Sequence, residues 1–251
     1  MVSRPQKQMV IAGVFVLILA VVGFSAYWTN FRPPAATPTP IPIQALQVQS
    51  VQIAQTPAGD YDVVANVYNP NTDYGVADGS FDLVLKDASG NESARKAGND
   101  FYMLPGQTEQ LVLASLRGIP AGVTPSLEFK SLQWEQVTGD PSVSIVATNQ
   151  QVSNGQGGSA VFRATIVNNS VFDFDTVDAA VVVTDPTGKL ITASTTNFQT
   201  FLSQTKRDIV ITWPFPIPND AVISVQVGTN VFNNANYLKQ HGTPQKFQQY
   251  F

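Results

Sequence analysis

The chain has 251 residues, of which 43% are hydrophobic and 13% are charged, so it holds enough apolar material for a core and too little charge for wholesale disorder. It contains no cysteine, which excludes disulfides, thiolate metal sites and cysteine nucleophiles. From Gln44 onward, 11 Lys and Arg side chains stand against 18 Asp and Glu, and the resulting charge of −7 excludes nucleic acid as an expected partner.

The first predicted element is an apolar helix over residues 10–28, VIAGVFVLILAVVGFSAYW. At about 1.5 Å per residue, this run is long enough for the roughly 30 Å hydrocarbon layer of a bilayer. Residues 1–9 carry Arg4 and Lys7 and no acid, which predicts a cytoplasmic N-terminal tail. We therefore expect a single-pass membrane protein whose remaining domains are extracytoplasmic, with Tyr27 and Trp28 as the membrane anchor at the outer interface.

A cleaved signal peptide is the alternative for this segment, since it shares the basic start and the apolar core. Cleavage requires small residues three and one positions before the cut. At Phe24-Ser25-Ala26 the outer position is Phe, and the apolar run exceeds the roughly 7 to 15 residues of a signal core. These features favour a retained signal anchor.

Residues 29–43 are predicted to form a proline-rich linker, because five prolines lie between Pro33 and Pro42. Proline fixes φ and biases the preceding residue toward extended conformations. We expect a semi-rigid polyproline II spacer that rises about 3.1 Å per residue and holds the following domain away from the bilayer.

From Leu46 onward, apolar and polar residues alternate with period two between turn signals. Four of the predicted strands are Tyr61–Asn69, Phe81–Lys86, Thr108–Leu116 and Ser126–Glu135. Short strands at this spacing are typical of an all-β sandwich, and no window carries a helical stripe.

The second half of this region repeats the first, which predicts two tandem domains over residues 44–138 and 139–233. Asp87-Ala-Ser-Gly90 matches Asp185-Pro-Thr-Gly188 at an offset of 98 residues. Asn69 matches Asn168 at an offset of 99, and Gly106-Gln107-Thr108 matches Ser203-Gln204-Thr205 at 97. Offsets that drift by one residue indicate homologous domains with different turn lengths.

The segment Val63–Leu85, VVANVYNPNTDYGVADGSFDLVL, resembles the water-stress-and-hypersensitive-response (WHy) domain of type-2 late-embryogenesis-abundant proteins, in which Asn-Pro-Asn follows a strand. The later Asp-x-x-Gly turn and Leu104-Pro-Gly-Gln-Thr108 are similar to the bacterial FxLYD domain. Both resemblances imply tandem immunoglobulin- or fibronectin-like β-sandwiches in membrane-attached or envelope proteins. Neither family brings a catalytic residue to this sequence.

Two groups of polar residues are candidates for a site. Asp173, Asp175 and Asp178 form the densest acidic group, and they are a calcium candidate because calcium takes oxygen ligands. The alternative is a charged loop that guards an exposed edge strand. Asn69-Pro70-Asn71 is interpreted as a structural turn, in which proline fixes the turn and the asparagine side chains bond to backbone groups.

Catalysis is not expected, and neither is a cofactor. His241 is the only histidine, and no Gly-x-Ser-x-Gly elbow exists to supply a nucleophile. It lies in residues 234–251, an Asn/Gln-rich segment that is predicted to be a flexible C-terminal tail, with a strand-edge extension as the alternative.

These features predict a cell-envelope protein whose two β-sandwiches serve non-enzymatic binding or assembly. The expected partners are the lipid bilayer, through residues 10–28, and an envelope protein of unknown identity. Calcium-dependent adhesion is one alternative. An envelope hydrolase is another, although the sequence offers no nucleophile–base pair.

Overall fold

A computed structural model describes residues 4–30, 42–139, 143–155 and 157–240. The chain forms two compact units, residues 1–42 and 43–251. In the first unit, the helix α1 runs from Arg4 to Asn30 and covers the predicted residues 10–28. It also takes in the first two residues of the predicted proline-rich linker, most of which lies outside the described residues.

Within the described residues, no helix has the combination of length and apolarity that crossing a membrane requires.

The second unit consists almost entirely of antiparallel strands, which confirms the predicted all-β class of this region. The first half contains β1 Gln47–Gln55, β2 Tyr61–Tyr68, β3 Tyr74–Lys86, β4 Glu92–Ala97, β5 Phe101–Met103, β6 Thr108–Leu116 and β7 Thr124–Gln136. The second half contains β8 Ile145–Asn154, β9 Ala160–Asn168, β10 Phe172–Thr184, β11 Leu190–Phe201, β12 Lys206–Trp213, β13 Val222–Gly228, a 3-10 turn Asn234–Asn236 and β14 Tyr237–Gln240.

In the first half, two sheets enclose one core. One sheet has the order β1-β2-β6, and in the other β3 pairs with β7 on one side and with β4 and β5 on the other. Val63 and Leu111 from the first sheet meet Leu83 and Met103 from the second in a buried cluster. Alternate residues of each strand point to the same face, so the period-two pattern becomes this core.

The second half repeats the arrangement with the sheets β12-β9-β8 and β11-β10-β13. Its core joins Phe162 and Ile209 to Phe174 and Val181, all buried. The central pairings are equivalent: Leu83 pairs with Leu127 in the first half, and Val181 pairs with Val225 in the second. Each pair is separated by 98 residues from its counterpart, as the sequence repeat predicts.

One turn shifts the predicted alignment by a residue. The backbone N–H of Asn69 donates to the carbonyl of Gln107, and that of Asn168 donates to the carbonyl of Thr205. Gln107 therefore corresponds to Thr205 at an offset of 98, and the predicted offset of 97 is wrong here. Gly106 then corresponds to Gln204, and both have positive φ, 66° and 57°. The left-handed position is retained while glycine, its usual occupant, is not.

Residues 234–240 form the strand-edge extension rather than a tail. β14 extends the edge of the sheet next to β13, where Phe172 pairs with Gln240 and Phe174 pairs with Tyr237. The Tyr237 ring packs edge-on against the Phe172 and Phe174 rings, at 5.2 and 5.5 Å between centroids. These aromatic contacts hold the strand, and residues 241–251 lie outside the described residues.

The two halves are packed against each other through the outer faces of β2, β6, β10 and β11. Val64 and Val112 of the first half meet Val182, Leu190 and Ala193 of the second in a buried apolar cluster. This contact explains why consecutive residues of β2 are buried: one side chain faces the core and the next faces the other half. Each such buried Val or Leu contributes roughly 1.5–3 kcal/mol.

We call this contact between the two halves the joint. A buried carboxylate lies within it. Asp62 is only 2% exposed. Its Oδ1 accepts a hydrogen bond from the Ser115 backbone N–H at 2.8 Å. Its Oδ2 accepts from the Thr192 hydroxyl at 2.6 Å and from the Ala193 backbone N–H at 3.0 Å. Because donors from both halves satisfy this one side chain, directional hydrogen bonds as well as apolar contacts fix how the two halves pack.

Candidate functional site

The predicted turn Asn69-Pro70-Asn71 lies between β2 and β3, where Asn69 is fully buried. The Asn69 Nδ2 donates to the carbonyls of Tyr74 and Leu104, at 2.8 and 3.1 Å. Its Oδ1 accepts from the backbone N–H and the Nδ2 of Asn71, at 3.1 and 2.8 Å. These bonds leave Asn69 no role at the surface, so its contribution is structural.

Asn71 uses its remaining atoms to hold the chain that enters the first half. Its Oδ1 accepts from the Gln44 backbone N–H at 2.8 Å, and its Nδ2 donates to the Gln44 carbonyl at 2.9 Å. The segment before β1 is therefore clamped to the β2–β3 turn.

The three aspartates proposed for calcium are placed on β10, which is a central strand and neither a loop nor an edge. Asp173 is 5% exposed, and its Oδ1 accepts from the Ser203 backbone N–H at 2.7 Å. Asp175 is exposed, and Asp178 accepts from the Tyr102 hydroxyl at 3.4 Å. Among the described residues, no group of three or more His, Asp or Glu side chains is arranged to hold a metal ion.

Tyr27 and Trp28 lie near the end of α1, where they are 61% and 54% exposed. The Trp28 ring stacks on Phe24 with centroids 5.6 Å apart. His241 lies outside the described residues, so its surroundings add nothing to the site.

Where the two halves meet, beside the joint, the chain forms a cavity of about 420 Å³, which we call the joint cavity. The first half supplies Tyr102 of β5 and Glu109 of β6, and the second half supplies Asp178 of β10 and Gln226 of β13. A smaller cavity of about 280 Å³, the side cavity, shares the Asp100, Phe101, Tyr102 and Asp178 walls. Ligand sites in proteins favour such concave junctions between domains.

A break in one edge strand opens the joint cavity on the side of the first half. β4 ends at Ala97 and β5 begins at Phe101, and Asn99 and Asp100 of the interruption line the cavity. The Phe81 ring lies against Gly98, where any Cβ atom would overlap it. A continuous strand with ordinary side chains would collide with this ring. The large Phe81 side chain therefore occurs together with Gly98 and with the break between β4 and β5.

Glu109 is held across the boundary by amide groups. Its Oε2 accepts from Gln107 Nε2 of its own half and from Gln226 Nε2 of the other half, both at 2.8 Å. Gln226 Oε1 accepts in turn from the Gln110 backbone N–H at 2.8 Å. The Gln226 Nε2 also donates to the Thr108 carbonyl at 3.2 Å. One glutamine of the second half therefore holds the start of β6 by several hydrogen bonds.

Two carboxyl groups and one phenol of the joint cavity have raised pKa values. Burial raises the pKa of Glu109 to about 8, and the nearby Asp178 carboxylate adds to the rise. Burial also raises the pKa of Asp178, although the Tyr102 hydroxyl opposes part of that rise. For the Tyr102 hydroxyl, burial and then the charges of Asp178 and Glu109 raise the pKa well above its ordinary value.

Burial raises the pKa values of both Glu109 and Asp178. Both groups would gain from a positively charged or hydrogen-bonding ligand placed between them.

Sequence reasoning found Asp178 but gave it calcium as a partner, and it missed Glu109, Tyr102 and Gln226. Glu109 stands in the polar start of the predicted strand Thr108–Leu116, where period two places it on the same face as the core residues Leu111 and Leu113. The signal that could have found it is the repeat, because the corresponding residue of the second half is Arg207. A change from an acidic to a basic residue at equivalent positions of a repeat indicates that the two side chains have different surroundings.

A scan against protein-family models finds no family that matches the chain, and a search of curated proteins finds no matching relative. The resemblance to WHy and FxLYD domains therefore stays a prediction.

Proposed function

We propose that this chain is a single-pass, membrane-anchored envelope protein that presents two immunoglobulin-like β-sandwiches, joined into one body, as a non-enzymatic binding module. The observation that carries the binding role is the joint cavity, to which both halves contribute polar side chains. The joint supports it, because the Asp62 carboxylate and the apolar cluster fix the relative position of the cavity walls.

The membrane anchor rests on the character of α1. Its described large apolar side chains are exposed on every face, from 52% for Ile18 to 79% for Met9. A helix that is hydrophobic all round is stable only when another apolar medium covers it, and a bilayer is such a medium. The basic residues Arg4 and Lys7 before the run orient the β-rich unit away from the cytoplasm.

Alkaline extraction of cell membranes tests the anchor. We expect the full chain to remain in the membrane pellet and the β-rich unit to be accessible to protease added outside the cytoplasmic membrane. The double variant Leu17→Arg/Val21→Arg should release the chain, since each central arginine costs about 2.5–3.5 kcal/mol in a bilayer. The matched double variant Val210→Arg/Val222→Arg, at exposed strand positions, should leave it in the pellet. Release of the unaltered chain would contradict the anchor.

Site-specific photo-crosslinking in intact cells tests the binding role. Asn197 is exposed and lines the joint cavity, whereas Asn219 is exposed in the loop before β13, away from both cavities. A photo-reactive residue at 197 should give a discrete adduct, and one at 219 should not. Equal adducts at the two positions, or none at 197, would argue against a binding site at the joint.

A further inference from the structure

The walls of the two cavities carry acidic side chains, and Glu109 becomes charged only as the pH rises toward its raised pKa of about 8. Five carboxylates line one or both of them: Asp78, Asp100, Glu109, Asp175 and Asp178. Within the described part of the chain, neither cavity is lined by Lys, Arg or His. Walls of one sign concentrate ions of the opposite sign, because the low-dielectric surroundings screen the charge poorly.

A second observation concerns a hydrogen-bond acceptor in the joint cavity. Gln110 lines it, and among the described residues the Gln110 Oε1 is buried with no hydrogen-bond partner. A buried acceptor without a donor is destabilising, and a donor brought by a ligand would relieve that cost.

The surrounding side chains set further limits on the ligand. Amides and hydroxyls of Asn197, Thr195 and Gln226 line the joint cavity beside the carboxylates. A volume of about 420 Å³ is suited to a small molecule rather than a folded partner. A bare metal ion does not fit, since no cluster of three suitable ligands exists among the described residues.

We infer that the joint cavity binds a small organic molecule that carries a protonated amine, held between the carboxylates of Glu109 and Asp178 and donating to Gln110. This inference deepens the proposed binding function and rests on it. An ammonium group supplies three donors and one positive charge, which matches carboxylates and an unpaired carbonyl oxygen. Polyamines and amino sugars are two sources of this chemistry that are small enough for the cavity volume.

Binding of such a ligand is linked to protons. The titratable groups that face Glu109 are Tyr102 of β5, Asp100 before β5 and Asp178 of β10, while β11 and β13 present neutral amides and hydroxyls. Since burial raises the pKa of Glu109 to about 8, that carboxyl is largely protonated near neutral pH. An ammonium group favours its ionised form, so binding releases a proton and tightens as pH rises, by up to about tenfold per pH unit.

Isothermal titration calorimetry on the full chain in detergent, in an amine-free phosphate buffer, tests the inference. The probes are spermidine for polyamines and the disaccharide of glucosamine for amino sugars, with its N-acetylated form as the neutral control. We expect at least one amine to bind at pH 8, roughly fivefold weaker binding of spermidine at pH 7, and roughly ten- to hundredfold loss on acetylation. The tighter amine identifies the source.

The variants Asp178→Asn and Glu109→Gln should each weaken binding by about tenfold or more, and Glu109→Gln should also remove the pH dependence. Asp220→Asn makes the same charge change at an exposed site outside both cavities and should stay within about twofold of the unaltered chain. Asp100→Asn, at the exposed rim, serves as a milder variant if a buried substitution impairs folding; it should weaken binding by about threefold.

Absence of heat with both amines, equal binding of the acetylated control, or binding unaffected by all three cavity variants would overturn the inference. These outcomes are separate from failure of the proposed function. Membrane retention together with a specific crosslink at position 197, but no amine binding, would refute the amine ligand and leave the anchored binding module standing.

Discussion

The two halves of the β-rich unit use equivalent edge strands for opposite purposes. In the second half, β11 runs unbroken from Leu190 to Phe201 and packs on the first half, where Thr192 and Ala193 donate to Asp62. In the first half the same edge is split into β4 and β5, and the gap opens the joint cavity. One repeat therefore builds the contact between the halves and the other leaves space beside it.

A pair of core residues accounts for this difference. The first half combines the large Phe81 with Gly98, and the second half combines the small Ala179 with Thr196, which is its direct partner across the strands. Where the central strand carries alanine, a β-branched residue fits opposite and the edge strand continues. Where it carries phenylalanine, only glycine fits, and the strand is interrupted.

The comparison also shows which features are independent of function. Asn168 in the second half is fully buried like Asn69, and its Nδ2 donates to the carbonyls of Phe172 and Leu202 at 2.8 and 3.2 Å. Its Oδ1 accepts from the backbone N–H and hydroxyl of Ser170, at 3.0 and 2.6 Å. Serine thus replaces Asn71 as the second donor, and the turn survives because the bonding pattern is kept.

The largest effect is expected at these two asparagines. Asn69→Ala and Asn168→Ala should each destabilise the chain by about 3 kcal/mol, because each leaves at least two buried carbonyls without donors. Urea denaturation measures the loss, and Asn169→Ala, at an exposed position of the same turn, should change stability by less than about 0.5 kcal/mol. A large loss in only one half would show that the two turns are not equivalent.

The next effect tests whether the joint makes the halves one cooperative unit. Asp62→Ala should cost about 2 kcal/mol, since three donors lose their acceptor and two of them belong to the other half. In calorimetry of the full chain, we expect the single unfolding transition of the unaltered protein to separate into two. Asp220→Ala, an exposed control, should leave one transition. A single transition in Asp62→Ala would mean that the apolar cluster alone couples the halves.

The strands could be predicted from the sequence because each half has one core, and a strand with one buried face alternates with period two. The predicted segment Thr108–Leu116 is β6 itself, and Phe81–Lys86 lies within β3. The repeat could also be recognised, because turn residues such as Asp87 and Asp185 cap their own hairpins through local hydrogen bonds. Because these hydrogen bonds join residues that are close in sequence, the turns can be recognised from a short sequence pattern.

The joint and its cavity could not be predicted, because both depend on contacts between residues far apart in the chain. Asp62 bonds to Thr192 across 130 positions, and nothing near Asp62 in sequence distinguishes it from a surface aspartate. A partial signal exists in the run Val63-Val64-Ala65, where consecutive apolar residues indicate a strand buried on both faces. That run predicts that another part of the protein covers the outer face of β2, but it does not identify which part.

The smallest expected effect concerns the pH dependence of stability, because equivalent positions of the two halves carry opposite charges. Glu109 of β6 corresponds to Arg207 of β12, whose guanidinium lies 5.7 Å from the Phe198 ring centroid and donates to the Gln199 carbonyl at 2.6 Å. The acid faces the other half, whereas the base lies exposed over its own half. Only the acid should therefore make stability depend on pH near neutrality.

The sign follows from the two states of Glu109. Its carboxyl has an ordinary pKa of 4.5, and burial raises the pKa to about 8 in the folded chain. Between these values the folded chain keeps a proton that the unfolded chain has released, so the contribution of Glu109 to stability is greatest below about pH 4.5 and is lost as pH rises to about 8. Asp82, Glu92 and Asp185 have lowered pKa values, and their contribution is lost only as pH falls through the acidic range below this window.

Urea denaturation at pH 5, 6.5 and 8 should show the unaltered chain losing on the order of 2 kcal/mol across the window. Glu109→Gln keeps an acceptor for Gln107 and Gln226 but cannot ionise, so its stability should be nearly flat from pH 5 to 8. Arg207→Gln should lower stability by about 1 kcal/mol at every pH and keep the slope of the unaltered chain. If Glu109→Gln kept the slope instead, Asp178 would be the titrating group, and the proton would belong to the second half rather than to the first.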